Sequence, residues 1–466
     1  MTELFVDPAD PRPLTQQLYE QLRSAVVEGR LAPGARLTPT RRAAAELGVS
    51  RSTVAEAYAR LVAEGYVEGR RGGGSVVAAV ATTPPQTARD ATALVPAART
   101  RGLRPYEPEP APGVAWDLRP GVVDDDLFRA SAWRRCLARA AAETTGHYTD
   151  PAGTPELRAA LAHWVTRSRG VVAVPDQVVV TAGAGHATDL VARTLLDPPA
   201  VVAVEEPGYP PVVELLRHHG HHVVGVPVDD QGIVVDAIPR DVRLVYVTPS
   251  HQYPLGMVMS RPRRAELLAW ASRARAAIVE DDYDSEFRHT ARPLEPLQRL
   301  DRDGRVIYVG TFSKSLSPGL RLGFAVVPRG LASAVASVRQ TVDWSPPLAS
   351  QAALTAFVTE GHLDRHLRRC RTVYRERQHL VRTQLERLLP PGCAVLPAHA
   401  GLHLAVTTPH HDAVQRLRSS SPSLRAGSLA RTYLFSDPVP GLLVGFGGVP
   451  TAAVPTAVGA LTAALA

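Results

Sequence analysis

From about Val114 to the C-terminus, short apolar runs alternate with segments of helical periodicity. Gln177–Thr181, Ala200–Val204, Leu244–Val247, Ala277–Glu280 and Val306–Val309 are such runs. Strands alternating with helices over so long a stretch restrict the fold to α/β with a mostly parallel sheet. Sheets of that kind bind ligands just beyond the C-terminal ends of their strands. The polar residues that close each apolar run are therefore the first place to look for chemistry.

The first 80 residues follow another pattern. Leu14, Leu18, Leu22 and Val26 recur at helical spacing, and Gly29 through Gly34 break that helix. A second helix is predicted over Arg41–Leu47 with Gly48 as its cap, and a third from Arg51 to about Glu64, N-capped by Ser50 and ended by Gly65. Tyr66–Val77 then spells two short strands around the turn Arg70-Arg71-Gly72-Gly73-Gly74. Three helices and a basic hairpin make a winged helix-turn-helix, whose second helix of the pair enters the major groove of double-stranded DNA. Arg41, Ser50, Arg51, Ser52, Thr53 and Tyr58 are the expected DNA contacts on the helices, and Arg70, Arg71 and Gly73 those on the wing. Residues 81–113, punctuated by prolines and rich in Ala and Arg, read as a linker, which leaves 114–466 as the α/β body.

Composition narrows the class. No apolar run approaches the roughly 20 residues that span a bilayer, and MTELFVDPADPRP has neither a basic nor an apolar leader segment, so a cytoplasmic protein without membrane contact is expected. Cys136, Cys370 and Cys393 are too scattered for a metal motif and read as reduced thiols. The histidines at 218, 219, 221 and 222 and at 410 and 411 lack acidic or cysteine partners and read as solvated loop residues, so no metal is expected. A net charge of +7 is compatible with nucleic acid but does not require it.

Among 52 Lys+Arg residues, Lys314 is the only lysine. Arginine replaces lysine as a charge, but its guanidinium stays protonated and cannot form a Schiff base. A lone lysine in Thr311-Phe312-Ser313-Lys314-Ser315 thus marks a place where a primary amine is needed, with covalent aldimine chemistry as the main such need. The companions of a pyridoxal 5'-phosphate (PLP) site are present. Asp281, at the end of an apolar run, is the candidate for the pyridine nitrogen, and Tyr283 for the ring oxygen. Thr311, Ser313 and Arg321 surround the lysine as phosphate ligands, joined by the backbone of Gly183, Ala184 and Gly185 where a strand turns into a helix.

Two resemblances follow from these residues. Leu47-Gly48-Val49-Ser50-Arg51-Ser52-Thr53-Val54, with Tyr58, Leu61, Glu64-Gly65 and the glycine-rich wing, resembles the GntR family of winged-helix regulators. The ordered set Tyr148 to Arg158, Glu206-Pro207-Gly208-Tyr209, Thr248–Gly256, Glu280–Tyr283 and the Lys314 segment resembles the fold-type I aspartate aminotransferase superfamily, a large α/β domain with a small C-terminal domain. Joined in one chain, the two look like the MocR family of bacterial regulators. The resemblance implies a head-to-tail homodimer in which Tyr148 reaches the partner subunit's phosphate and Tyr209 lies beside the ring. Tyr253 occupies the place where plain aminotransferases carry an asparagine. Leu442 and Leu443 stand where amino-acid-binding members carry a carboxylate-gripping arginine, which points away from an ordinary α-amino acid effector.

The function expected is a PLP-dependent transcriptional regulator whose small-molecule effector, either PLP itself, as in family members that control vitamin B6 synthesis, or an amine or amino acid, shifts DNA binding by the winged helices. The alternative is an active aminotransferase with an accessory DNA-binding head. Lys314, Asp281 and Tyr283 would carry its chemistry.

Overall fold

The structure is a computed structural model, and it describes residues 4–7, 9–70, 74–79, 97–100, 103, 113–128, 130–143, 146–288 and 295–466. The chain forms two compact units, Met1–Pro96 and Ala97–Ala466.

In the first unit, helices α1 (Leu14–Val27), α2 (Thr40–Leu47) and α3 (Arg51–Ala63) precede the antiparallel pair β1 (Val67–Arg70) and β2 (Gly74–Val77). Leu18, Leu22, Val26, Val54, Ala57, Leu61 and Val67 close one small core, as the helical spacing requires. Gly48 takes a left-handed conformation at the end of α2, and Ser50 accepts the Thr53 amide proton at 3.1 Å to start α3. The expected helix-turn-helix and wing are therefore present. The side chain of Arg70, together with Arg71 and Gly73, lies outside the described residues, as does nearly all of the linker expected over 81–113.

The second unit is built on an eight-stranded sheet. Its strands are β4 (Val178–Thr181), β5 (Val201–Glu206), β6 (His222–Asp229), β7 (Gly232–Ile233), β8 (Val242–Val247), β9 (Ala277–Asp282), β10 (Val306–Thr311) and β11 (Gly323–Val326). A preceding strand, β3 (Trp116–Leu118), belongs elsewhere. The order is β4-β11-β10-β9-β8-β5-β6-β7, with β6, β5, β8, β9 and β10 parallel and only β7 and β11 reversed against their neighbours. Each strand sends alternate residues to opposite faces. Val178 and Val180 enter one core while Val179 enters another, and Leu244 and Tyr246 face away from Val245 and Val247. Burial on both faces is why the central strands carry continuous apolar runs, such as Val178–Val180 and Leu244–Val247, instead of alternating.

A smaller, five-stranded sheet follows, β12 (Ala394–Val395), β13 (His403–Thr407), β14 (Leu424–Ser428) and β15 (Gly441–Gly445), completed by β3. Strand β3 pairs in parallel with β14, so the start of the body and its C-terminal part share one layer. Pattern reading cannot reveal that pairing, because it joins residues about 300 positions apart.

Candidate active site

Five chain segments bring polar residues to one end of the large sheet, around a cavity of about 400 Å³. Helix α4 (Ala130–Glu143) packs on the helix Leu348–Thr359, while α5 (Pro155–Arg169) and α6 (Ala184–Leu195) pack against β4, and α6 starts at the cavity wall. Thr311 closes β10, and the chain then bends to present Ser313 and Lys314. Asp281 lies at the end of β9, Tyr246 and Thr248 at the end of β8, and Tyr209 beyond β5. Arg321, in a left-handed conformation after Pro318–Leu320, completes that side. Leu402 and His403 enter from the small sheet.

Lys314 Nζ donates to the Gly121 carbonyl at 2.9 Å. Gly121 has φ +93°, a backbone conformation that favours glycine, and a Cβ there would stand 2.5 Å from Nζ, the movable end of the lysine. Asp281 is buried, and one of its carboxylate oxygens accepts from the Tyr246 hydroxyl. The other, Oδ1, is also buried and has no hydrogen-bond partner among the described residues. Burial pushes the Asp281 carboxyl up to about 7, against the Tyr246 hydrogen bond and the Lys314 charge, which favour the anion. Asp282, its neighbour, points to the opposite face and pairs with Arg169 at 2.6 Å and the Tyr308 hydroxyl at 2.5 Å. Strand alternation thus separates a site carboxylate from a structural one.

At the phosphate end, Gly183 has φ +105° and leads into α6. A Cβ on Gly183 would meet the Arg321 guanidinium at 3.4 Å, and one on Gly323 would meet Gly183 Cα at 2.8 Å. The Thr311 hydroxyl donates to Ser313 Oγ at 3.0 Å and accepts the Ser313 amide at 3.2 Å. An orphaned buried carboxylate oxygen, a lone amine and a glycine-lined helix start with an arginine beside it are what PLP requires, so the residues fit that cofactor.

Tyr283 lines the cavity, its hydroxyl 2.8 Å from His251 Nδ1. Tyr209 and Tyr253 also line it and meet edge to face at 5.4 Å, with Tyr253 in turn edge-on to Tyr283 at 6.2 Å. Tyr148 does not line this chain's own cavity; it is 78% exposed and stacks on Trp344 at 4.7 Å. Leu442 is buried in the main core, and Leu443 packs with Leu429 and Tyr253 behind the cavity. Among the described residues, the arginine and lysine side chains lining the cavity are Arg321 and Lys314. Burial lowers His403 to about 4, so its ring is neutral near pH 7.

In the head, Arg41, Ser50, Arg51 and Ser52 are exposed at the starts of α2 and α3, with Thr53 half-buried beside them. Tyr58 corrects the expectation of a DNA contact. It is 5% exposed, and its hydroxyl donates to the Thr38 carbonyl at 2.9 Å, fastening α3 to the turn before α2.

Sequence reading missed Gly121, Tyr246, Glu205 and the buried group His251, Asp284 and His403. Tyr246 and Thr248 did carry a signal, polar residues at alternate positions closing an apolar run. Glu205 accepts from the Thr248 amide at 3.0 Å and hydroxyl at 2.6 Å, and burial raises it to about 7.

Comparison with known proteins agrees with this geometry. Residues 118–430 match the family model "Aminotransferase class I and II", and residues 14–77 match "Bacterial regulatory proteins, gntR family". The chain is 39% identical over 450 residues to the probable rhizopine catabolism regulatory protein MocR of Rhizobium meliloti, covering 94% of this chain and 90% of that protein. It is 33% identical over 444 residues to the HTH-type pyridoxine biosynthesis transcriptional regulator PdxR of Corynebacterium glutamicum, covering 95% and 94%. Among solved structures, LysN, the alpha-aminoadipate aminotransferase of Thermus thermophilus complexed with N-(5'-phosphopyridoxyl)-L-leucine, superposes with a TM-score of 0.69 at 26% identity, over 76% of this chain and 92% of that one.

Proposed function

Because this chain belongs to the MocR-type regulators, a gntR-family head joined to an aminotransferase class I and II body, we propose that it is a cytoplasmic, DNA-binding transcriptional regulator whose body holds PLP on Lys314. The observation that carries the cofactor reading is the buried Asp281 oxygen left without a partner in the cavity that Lys314 also lines. When bound, PLP supplies a carbonyl that condenses with primary amines and a ring that withdraws electrons. Asp281 would hold a proton on the pyridine nitrogen, with Tyr246 fixing the carboxylate from behind. Arg321, Ser313, Thr311 and the start of α6 would hold the phosphate, and Tyr283 would donate to the ring oxygen. In the head, Arg41, Arg51, Ser52 and the wing would contact the operator. Exposed Tyr148 suits a homodimer in which it serves the other subunit's phosphate.

The effector is read from the cavity wall. Beyond the phosphate side it offers tyrosines, Leu402 and a neutral His403, and among the described residues no arginine lines that part of the wall to grip a carboxylate. PLP itself, or an amine without a carboxylate to pair, fits better than an ordinary α-amino acid. Reconstitution with PLP should give a visible absorption band that survives dialysis and is absent from Lys314→Ala. A wild-type protein that takes up no chromophore overturns the reading.

A working aminotransferase is the second reading, favoured by the presence of Lys314, Asp281 and Tyr283 in one cavity. Steady-state turnover with several amino donors, lost in Lys314→Ala, would establish it.

A further inference from the structure

We propose that His251, anchored by Asp284, is a positioning residue that turns the Tyr283 phenol proton toward the Lys314 cavity. The inference rests on the cofactor reading above. His251 Nδ1 lies 3.0 and 3.2 Å from the two Asp284 carboxylate oxygens and 2.8 Å from the Tyr283 hydroxyl. A carboxylate accepts and does not donate, so Nδ1 must carry the hydrogen. The other tautomer would set two lone pairs against each other at 3.0 Å in a buried place. With Nδ1–H shared between Asp284 and the phenol oxygen, Tyr283 accepts on that side. Its own proton then points away from His251, toward the cavity that its side chain lines.

The surroundings are built for this arrangement. The His251 and Asp284 side chains are 1% and 2% exposed. Asp284 is fixed a second time by the Leu402 amide at 3.3 Å. Gly401, at φ +84°, leaves the room they need, since a Cβ there would stand 2.0 Å from His251 Cε1 and 2.6 Å from Asp284 Oδ2. His251 Nε2 is buried without a hydrogen-bond partner among the described residues, as suits a bare lone pair better than an N–H. Around Tyr283 stand Asp281 and Asp284 from its own segment, His251 and Tyr253 from the turn after β8, Glu205 from β5, and Lys314 and His403 across the cavity. Burial first, then Asp284, holds the phenol protonated well above its ordinary range, so a proton is there to give.

The test is a pH titration of the visible absorption of the PLP-loaded protein. Tyr283→Phe removes the donor and should raise the midpoint by about one pH unit, since the chromophore then holds its own proton more tightly. His251→Gln, whose amide nitrogen overlays Nε2, should raise it similarly, whereas His251→Asn, whose amide nitrogen overlays Nδ1, should keep it. In a Tyr283→Phe background His251→Gln should add nothing. A midpoint unmoved by His251→Gln, or a shift that persists without the phenol, overturns the proposal. If the wild type takes up no chromophore, the cofactor reading has failed. The dyad is then read in the unloaded protein from the nitrogen resonances of labelled His251, where Nδ1–H supports it and Nε2–H overturns it.

Discussion

Replacing Asp281 by asparagine should stabilise the unloaded protein and disable the loaded one. Burial raises the Asp281 carboxyl from the ordinary 3.8 to about 7. A carboxyl with a raised folded pKa leaves stability intact below its unfolded value and costs it as pH rises to the folded value. Three pH units at 1.36 kcal/mol each put that cost at about 4 kcal/mol by neutral pH, an upper bound because the Tyr246 hydrogen bond readjusts in the variant. Thermal unfolding of the unloaded proteins at about pH 5 and about pH 8 reads the difference. Wild type should fall behind Asp281→Asn by a few degrees at the higher pH and by much less at the lower. Adding PLP should close the gap for wild type, whose carboxylate then gains a pyridinium partner, and should bind the variant more weakly. Parallel pH profiles for the two unloaded proteins would refute the burial argument, and equal PLP retention would refute the partner assigned to Asp281.

Gly121→Ala puts a side chain on a backbone at φ +93° and displaces the Lys314 amine from the carbonyl it meets, and should weaken PLP retention while leaving the far-ultraviolet circular dichroism unchanged. Arg51→Ala should weaken DNA binding by about 1–3 kcal/mol, lowering the salt slope by about one if the contact is to phosphate. Tyr58→Phe, by contrast, should cost the head about 1 kcal/mol in urea unfolding through the lost bond to Thr38 and leave the salt slope as it was. His403 has a folded pKa of about 4 against an ordinary 6.5, so the stability tied to its neutral ring is present above about pH 6.5 and lost as pH falls toward about 4. His403→Gln should flatten that part of the acid-unfolding profile, an effect of up to about 3 kcal/mol.

The large sheet was legible because strands buried on both faces carry continuous apolar runs, and Val178–Val180, Leu244–Val247 and Val306–Val309 are such runs. Lys314 was legible by scarcity, and Asp281 by its place at a strand end. What stayed hidden depends on contacts between distant segments. Nothing local to Pro120-Gly121 announces that its carbonyl will receive the lysine amine. His251, Asp284 and His403 come from three separate segments of the body, and only tertiary packing turns three scattered polar residues into one buried group. Tyr58 misled for the same reason: its spacing along α3 matches a reading helix, while its direction, into the core, is set by packing.

The central claim is that the cofactor held in the body governs DNA binding by the head. Its most direct test is a fluorescence anisotropy titration on DNA from upstream of the protein's own gene, with PLP-loaded and unloaded protein side by side. Affinity or stoichiometry should differ between the two for wild type and coincide for Lys314→Ala. Identical isotherms for loaded and unloaded wild type would contradict the account.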